Sequence, residues 1–193
     1  MGSFTVLRDV GDTLKILLKE NISELSDEGA ILFDSPADIA QPVTTAKLSI
    51  FLYQIAGNSH LRNAEPEIIG TNQMEYPPLA VDLFYIFTPY AQNRETEFII
   101  LEKIMQIFHN NSVLKEQMLK GSLNASGNNE IRVVLNALTL EELNKLWGMF
   151  PNKAFKLPLS YMLTPVKIPS EKAKEFTRVI EKDIDLYLIG DKK

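Results

Sequence analysis

The chain has 193 residues, 45% of them hydrophobic, with 20 basic and 25 acidic side chains and a formal net charge of −5. That balance fits one domain with a full core and excludes a largely disordered chain. It also argues against broad electrostatic binding of nucleic acid, which needs a clustered basic surface. Cysteine is absent, so disulfides, thiolate metal sites and cysteine nucleophiles are excluded. The two histidines, His60 and His109, would leave any zinc site dependent on carboxylates.

The N-terminal stretch MGSFTVLRDVGDTLKILL carries Asp9 and Asp12. It has no long apolar run and no small-residue cleavage site, so it does not read as a signal peptide. Val6 stands where a myristoylation motif needs Ser or Thr. From Phe4 to Glu20 the spacing predicts a helix, with Leu7, Val10, Leu14, Leu17 and Leu18 on its buried side. Arg8, Asp12, Lys15 and Lys19 take the other side, and Gly11 either weakens the middle of the helix or permits close packing. Residues 21–46 read as a polar loop with one short strand at Ala30–Phe33.

Lys47–Ala56 is apolar on both faces, which predicts a central strand covered on both sides. Ser59–Tyr76 follows as a long connection containing Leu61, Arg62 and Asn63. Leu79–Thr88 is the strongest strand, with Leu79, Val81, Leu83, Tyr85 and Phe87 on one face. Arg94–His109 predicts a helix whose stripe of Phe98, Leu101, Met105 and Phe108 adjoins a second of Ile100, Ile104 and Ile107. Ile99 projects among polar neighbours and is a pointer to a subunit contact.

A short helix is expected at Val113–Leu119 and a strand at Ile131–Leu135. Thr139 and Glu142 have capping-box spacing, opening a helix to about Met149 that carries Trp147. Leu157–Ile168 reads as a strand with Pro158 and Pro165 inside it, hence at an edge or bulged. Ile184, Leu186 and Leu188 alternate with polar or aromatic residues and admit a terminal strand. The expected organisation is one α+β domain over residues 1–168, a mainly antiparallel sheet flanked by helices, followed by a charged extension over 169–193.

Nothing in this pattern is a catalytic constellation. The phosphate-binding glycine motifs, the nucleophile elbow and HEXXH are all missing. No cofactor or metal is expected. His109 reads as a helix C-terminal residue facing the dipole, and Glu141-Glu142 as compensation at a helix start. His60 reads as a surface residue or a partner contact. Asp82 stands inside an apolar strand. It is either a catalytic carboxylate or a paired aspartate that fixes sheet register. Trp147 is core or an interface anchor.

Several blocks together resemble a known family. They are DVGDTLKILL, LSIFLYQIAGNSHLRN at Leu48–Asn63 and PPLAVDLFYIFTPYA at Pro77–Ala91. EFIILEKIMQIFHNNSVL at Glu97–Leu114, LTLEELNKLW at Leu138–Trp147 and FKLPLSYMLTPVKI at Phe155–Ile168 follow in the same order. The chain resembles the cap, or tail-terminator, proteins of extracellular contractile injection systems of the virulence-cassette and antifeeding-prophage type. The family commonly has a serine where Pro158 or Leu159 stands here, and a chain of 193 residues is expected to lack the C-terminal domain that some members add.

The resemblance implies a tail-terminator fold and structural work: a homo-hexameric ring that ends the inner tube and anchors the last sheath layer. Its partners would be further copies, the inner tube protein and the sheath protein, with no nucleic acid and no membrane. Assembly would be cytoplasmic, and the particle could be released. The residues singled out for contacts are Leu61, Arg62, Asn63, Ile99, Trp147, Leu159 and Tyr161, the last two through strand addition at Leu157–Ile168. Arg62 has an alternative as an internal salt bridge to Asp82. The alternatives for the whole are an assembly chaperone or a small-molecule enzyme using Asp82.

Overall fold

The computed structural model describes residues 5–61, 67–69, 73–170 and 173–175. In chain order the longer elements are α1 (Val6–Asn21), β1 (Ile31–Leu32), β2 (Lys47–Gly57), β3 (Glu67–Ile69), β4 (Gln73–Glu75) and β5 (Leu79–Tyr90). Then come α2 (Arg94–Asn110), β6 (Val113–Lys115), β7 (Glu130–Leu135), α3 (Leu140–Trp147), β8 (Leu159–Ile168) and β9 (Ala173–Glu175). Six strands form one sheet in the order β1-β2-β5-β8-β7-β6. Every pair in it is antiparallel except β1 with β2. β3, β4 and β9 form a second, three-stranded antiparallel sheet. The class is α+β, as the sequence predicts.

Strand alternation divides the core. From β5, Leu83, Tyr85 and Phe87 face α1 and α2, joining Val10, Leu14, Ile100, Ile104 and Phe108 in one cluster. Phe108 packs edge-on against both Phe87, at 5.3 Å, and Tyr161, at 4.8 Å. Ile86 points the other way and meets Leu146, Trp147 and Phe150 around α3. The large sheet therefore has α1 and α2 on one face and α3 on the other.

Local signals place the helix starts. Asn93 Oδ1 accepts the Thr96 backbone N–H at 2.8 Å and caps α2. Thr139 and Glu142 make the reciprocal capping box at α3.

Four expectations need correction. Val113–Lys115 is a strand rather than the start of a helix, pairing Leu114 with Ile131 and burying it. A segment this short gains more from long-range pairing and burial than from one helical turn. Leu157–Ile168 is not an edge: β8 runs between β5 and β7. Its prolines are tolerated because Pro158 precedes the strand and Pro165 lies beyond Thr164, where β7 pairing ends. The bulge is present, where the register with β5 slips between Val81 and Leu83. β2 is buried at Leu48, Ser49 and Ile50, but Gln54, Ile55 and Gly57 are exposed, so only half of it is covered. In α2, Phe98 and Met105 of the first stripe are exposed while its Leu101 and Phe108 are buried, and Glu97 lies buried with Ile100 and Ile104. The expected strand at 184–188 lies outside the described residues.

Candidate interaction surface

Three strands meet at one polar node. Asn58 follows β2 directly, and its backbone N–H donates to the Ala80 carbonyl at 3.0 Å. Its side-chain amide donates to Asp82 Oδ1 at 2.8 Å and to Thr164 Oγ1 at 3.1 Å. The Thr164 hydroxyl in turn donates to the same Asp82 oxygen. Asn58 Oδ1 accepts the backbone N–H groups of His60 and Leu61, at 3.0 and 3.1 Å. One buried amide thus ties β2, β5 and β8 together and sets the direction in which the chain leaves toward residue 61.

Asp82 sits at the register slip between Val81 and Leu83. Its contacts are those of a paired aspartate that fixes register. Beside it runs an open groove of about 1080 Å³, lined by Asn58, His60, Asp82, Arg132, Thr164 and Lys167 among others. The carboxylate hydrogen-bonds an amide and a hydroxyl; neither is a base that could turn it into a proton relay. Among the described residues no group of three or more His, Asp or Glu side chains could hold a metal ion.

The singled-out residues do not converge on one patch. Leu61 is exposed at the end of the node, and Arg62 and Asn63 lie outside the described residues. Ile99 is exposed on α2. Trp147 is buried, with its ring against Phe150 and Phe155 and its indole N–H donating to the Ala154 carbonyl at 3.3 Å. Leu159 is half-buried opposite Phe87. Tyr161 is buried against Phe87 and Phe108. With β5 on one side and β7 on the other, Tyr161–Thr164 offers no free edge for strand addition. The short end strands β1 and β6 carry the sheet's outer edges.

Two buried charges escaped the sequence reading. Asp9, on α1, is buried and accepts hydrogen bonds from Thr5 and Ser122. Glu97 is buried at the start of α2, accepts the Ala91 N–H at 3.3 Å and forms an ion pair with Lys156. The Lys156 ammonium also lies 5.6 Å from the Tyr90 ring centroid. Burial, reinforced by the Glu97 charge, pushes the Tyr90 phenol up to about 12. Periodicity signalled Glu97, which shares its helical face with Ile100, Leu101 and Ile104; nothing local signalled its partner.

The sequence profile of the Pvc16 N-terminal domain matches residues 9–182. The chain belongs to the Pvc16 N-terminal domain family. Among curated proteins no relative matches it. The fold of this family member is similar to a cryo-EM structure of the sheath/tube terminator of an extracellular contractile injection system, PVC, in the extended state. That match has a TM-score of 0.68 at 19% identity, over 96% of this chain and 65% of the other. It is also similar to the tube-terminating cap of the anti-feeding prophage, with a TM-score of 0.63 at 20% identity over 93% of this chain and 61% of that one. The chain thus spans a little under two thirds of the length of either terminator. No helix among the described residues of this Pvc16 N-terminal domain is long and apolar enough to cross a membrane.

Proposed function

We propose that this chain is a structural cap of a contractile, phage-tail-like injection particle: a ring of six copies that ends the inner tube and anchors the last sheath layer. The observation that carries the reading is the fold match to a sheath/tube terminator over 96% of the chain. The site chemistry agrees with it, because Asp82 is engaged in holding strands together. A cyclic ring uses heterologous contacts, in which one surface of each copy meets a different surface of the next. The connection that leaves the Asn58 node at Leu61, and continues through Arg62 and Asn63, is the segment we assign to such a contact. The protein has no catalytic role in this reading. It assembles in the cytoplasm and remains in the particle.

Electron microscopy of purified particles carrying a tagged copy tests this. The expected result is label at one end of each particle, with six-fold symmetry on averaging, and overlong tubes when the protein is removed. Label absent from finished particles, with tube lengths unchanged, would overturn the cap and favour an assembly chaperone.

A further inference from the structure

We infer that copies of this chain join head to tail through Leu140 of one copy seated in a small apolar pocket beside Gly11 of the next. Leu140 opens α3 and is 86% exposed, the highest value among the large apolar side chains reported for the described residues. Its placement is rigid, since the Thr139–Glu142 capping box fixes the turn on which it stands. It is flanked by two carboxylates: Glu142, exposed, and Glu141, 76% exposed and ion-paired with Lys145 at 2.6 Å. A leucine this exposed on a capped turn is available as an anchor, because covering it removes apolar surface from water.

The complementary feature lies on the other side of the sheet. Leu7, Gly11, Phe33, Ile50, Leu52 and Tyr85 line a pocket of about 300 Å³ between α1 and β2. Gly11 keeps it open, because a Cβ there would stand 3.0 Å from the Phe33 ring and displace that wall. The rim carries two cations: Arg8, 69% exposed and 3.3 Å from the buried Asp9 carboxylate, and Lys15, whose ammonium lies 5.7 Å from the Phe33 ring centroid. An apolar pocket with Lys15 on its rim suits an apolar tip beside Glu142 in polarity and in the sign of the flanking charge.

Tip and pocket belong to opposite faces of the large sheet, since Ile50 and Tyr85 pack with α1 whereas Phe51 and Ile86 pack with α3. One copy therefore cannot satisfy itself, and the contact is heterologous, the kind that closes into rings. The inference deepens the cap reading and rests on it for where the ring forms.

The cysteine-free chain makes a clean test. Particles assembled with the double variant Leu7→Cys/Leu140→Cys, under mild oxidation, are expected to shift the protein from the monomer band to a ladder of covalent oligomers. Leu7→Cys/Glu28→Cys, with the second cysteine at an exposed residue outside the contact, serves as the control and is expected to remain monomeric. In the crosslinking background Lys15→Glu is expected to reduce the ladder, and adding Glu141→Lys to restore it. Tagged protein at particle ends, with no more ladder than the control, would overturn this contact and leave the cap reading standing. A ladder from concentrated protein that is never found on particles would uphold the contact and overturn the cap.

Discussion

Asp9 and Ser122 are 113 residues apart, yet the Asp9 carboxylate accepts both the Ser122 backbone N–H, at 2.8 Å, and its hydroxyl, at 2.7 Å. The Thr5 hydroxyl donates to the same oxygen at 2.9 Å. One turn on, Thr13 donates to the Asp9 carbonyl at 2.7 Å and accepts the Lys120 N–H at 3.0 Å. Two side chains of α1 thus hold the segment that leads into β7, a link that apolar packing alone would leave free to slide.

This latch makes stability depend on acid. Burial pushes the Asp9 carboxyl up, but the Ser122 N–H, the hydroxyls of Ser122 and Thr5, and Arg8 outweigh it and hold the group at about 2, against an ordinary 3.8. The folded state therefore binds the proton less tightly than the unfolded chain. The stabilisation, about 2 kcal/mol, is present in full above 3.8 and is lost as pH falls through about 2. Urea unfolding of the parent chain and Asp9→Asn at pH values from neutral to about 2 checks this. The gap between the two curves is expected to narrow by roughly that amount, and a constant gap would show that another group carries the acid sensitivity.

Gly121 is part of the same device. Its φ is +63°, and a Cβ there would fall inside van der Waals contact of the Asp9 carboxylate. Gly121→Ala is expected to cost about 3 kcal/mol, from the left-handed backbone and from the displaced hydrogen bonds together. Gly127→Ala separates the two causes, because that glycine has φ +77° but open space around it. It is expected to cost only about 1–2 kcal/mol by thermal or urea unfolding.

What the sequence disclosed and what it concealed follow the range of the interactions. α2 and α3 were readable because their signals are local: Ile100, Ile104 and Ile107 recur at helical spacing, and Thr139 with Glu142 closes a box three residues wide. β5 was readable because Leu83, Tyr85 and Phe87 alternate with Phe84 and Ile86. Leu114 was misassigned to a helix because its partner Ile131 is distant in sequence. The edge assignment of β8 failed because a proline rule cannot tell that β7 stops at Thr164, one residue before Pro165. At the candidate site, Asp82 stood out as a charge in an apolar strand, whereas Asn58 and Thr164, which explain it, carried no local mark.

The Glu97–Lys156 pair sets a third test. Glu97 is 7% exposed at its side chain and Lys156 17%. Removing the cation alone strands a buried carboxylate, so Lys156→Met is expected to destabilise by about 3–5 kcal/mol. Glu97→Gln/Lys156→Met removes the charge along with its partner and is expected to recover most of that loss. A double-mutant cycle by urea unfolding measures the coupling, and additive effects would mean the pair is screened by solvent.

Thr88 offers a gain rather than a loss. It lies in β5 opposite Ser49, and both residues are fully buried. Ser49 satisfies its hydroxyl by donating to the Asp34 carbonyl at 2.6 Å. The Thr88 hydroxyl has no hydrogen-bond partner among the described residues. A buried hydroxyl without a partner forfeits about 1–3 kcal/mol of hydration. Valine has the same branched shape and suits a strand. Thr88→Val is therefore expected to stabilise the chain by about 1 kcal/mol, read as a higher melting temperature with an unchanged urea m-value. Destabilisation instead would mean that the hydroxyl does find a partner in the folded protein, so the sign alone decides the point.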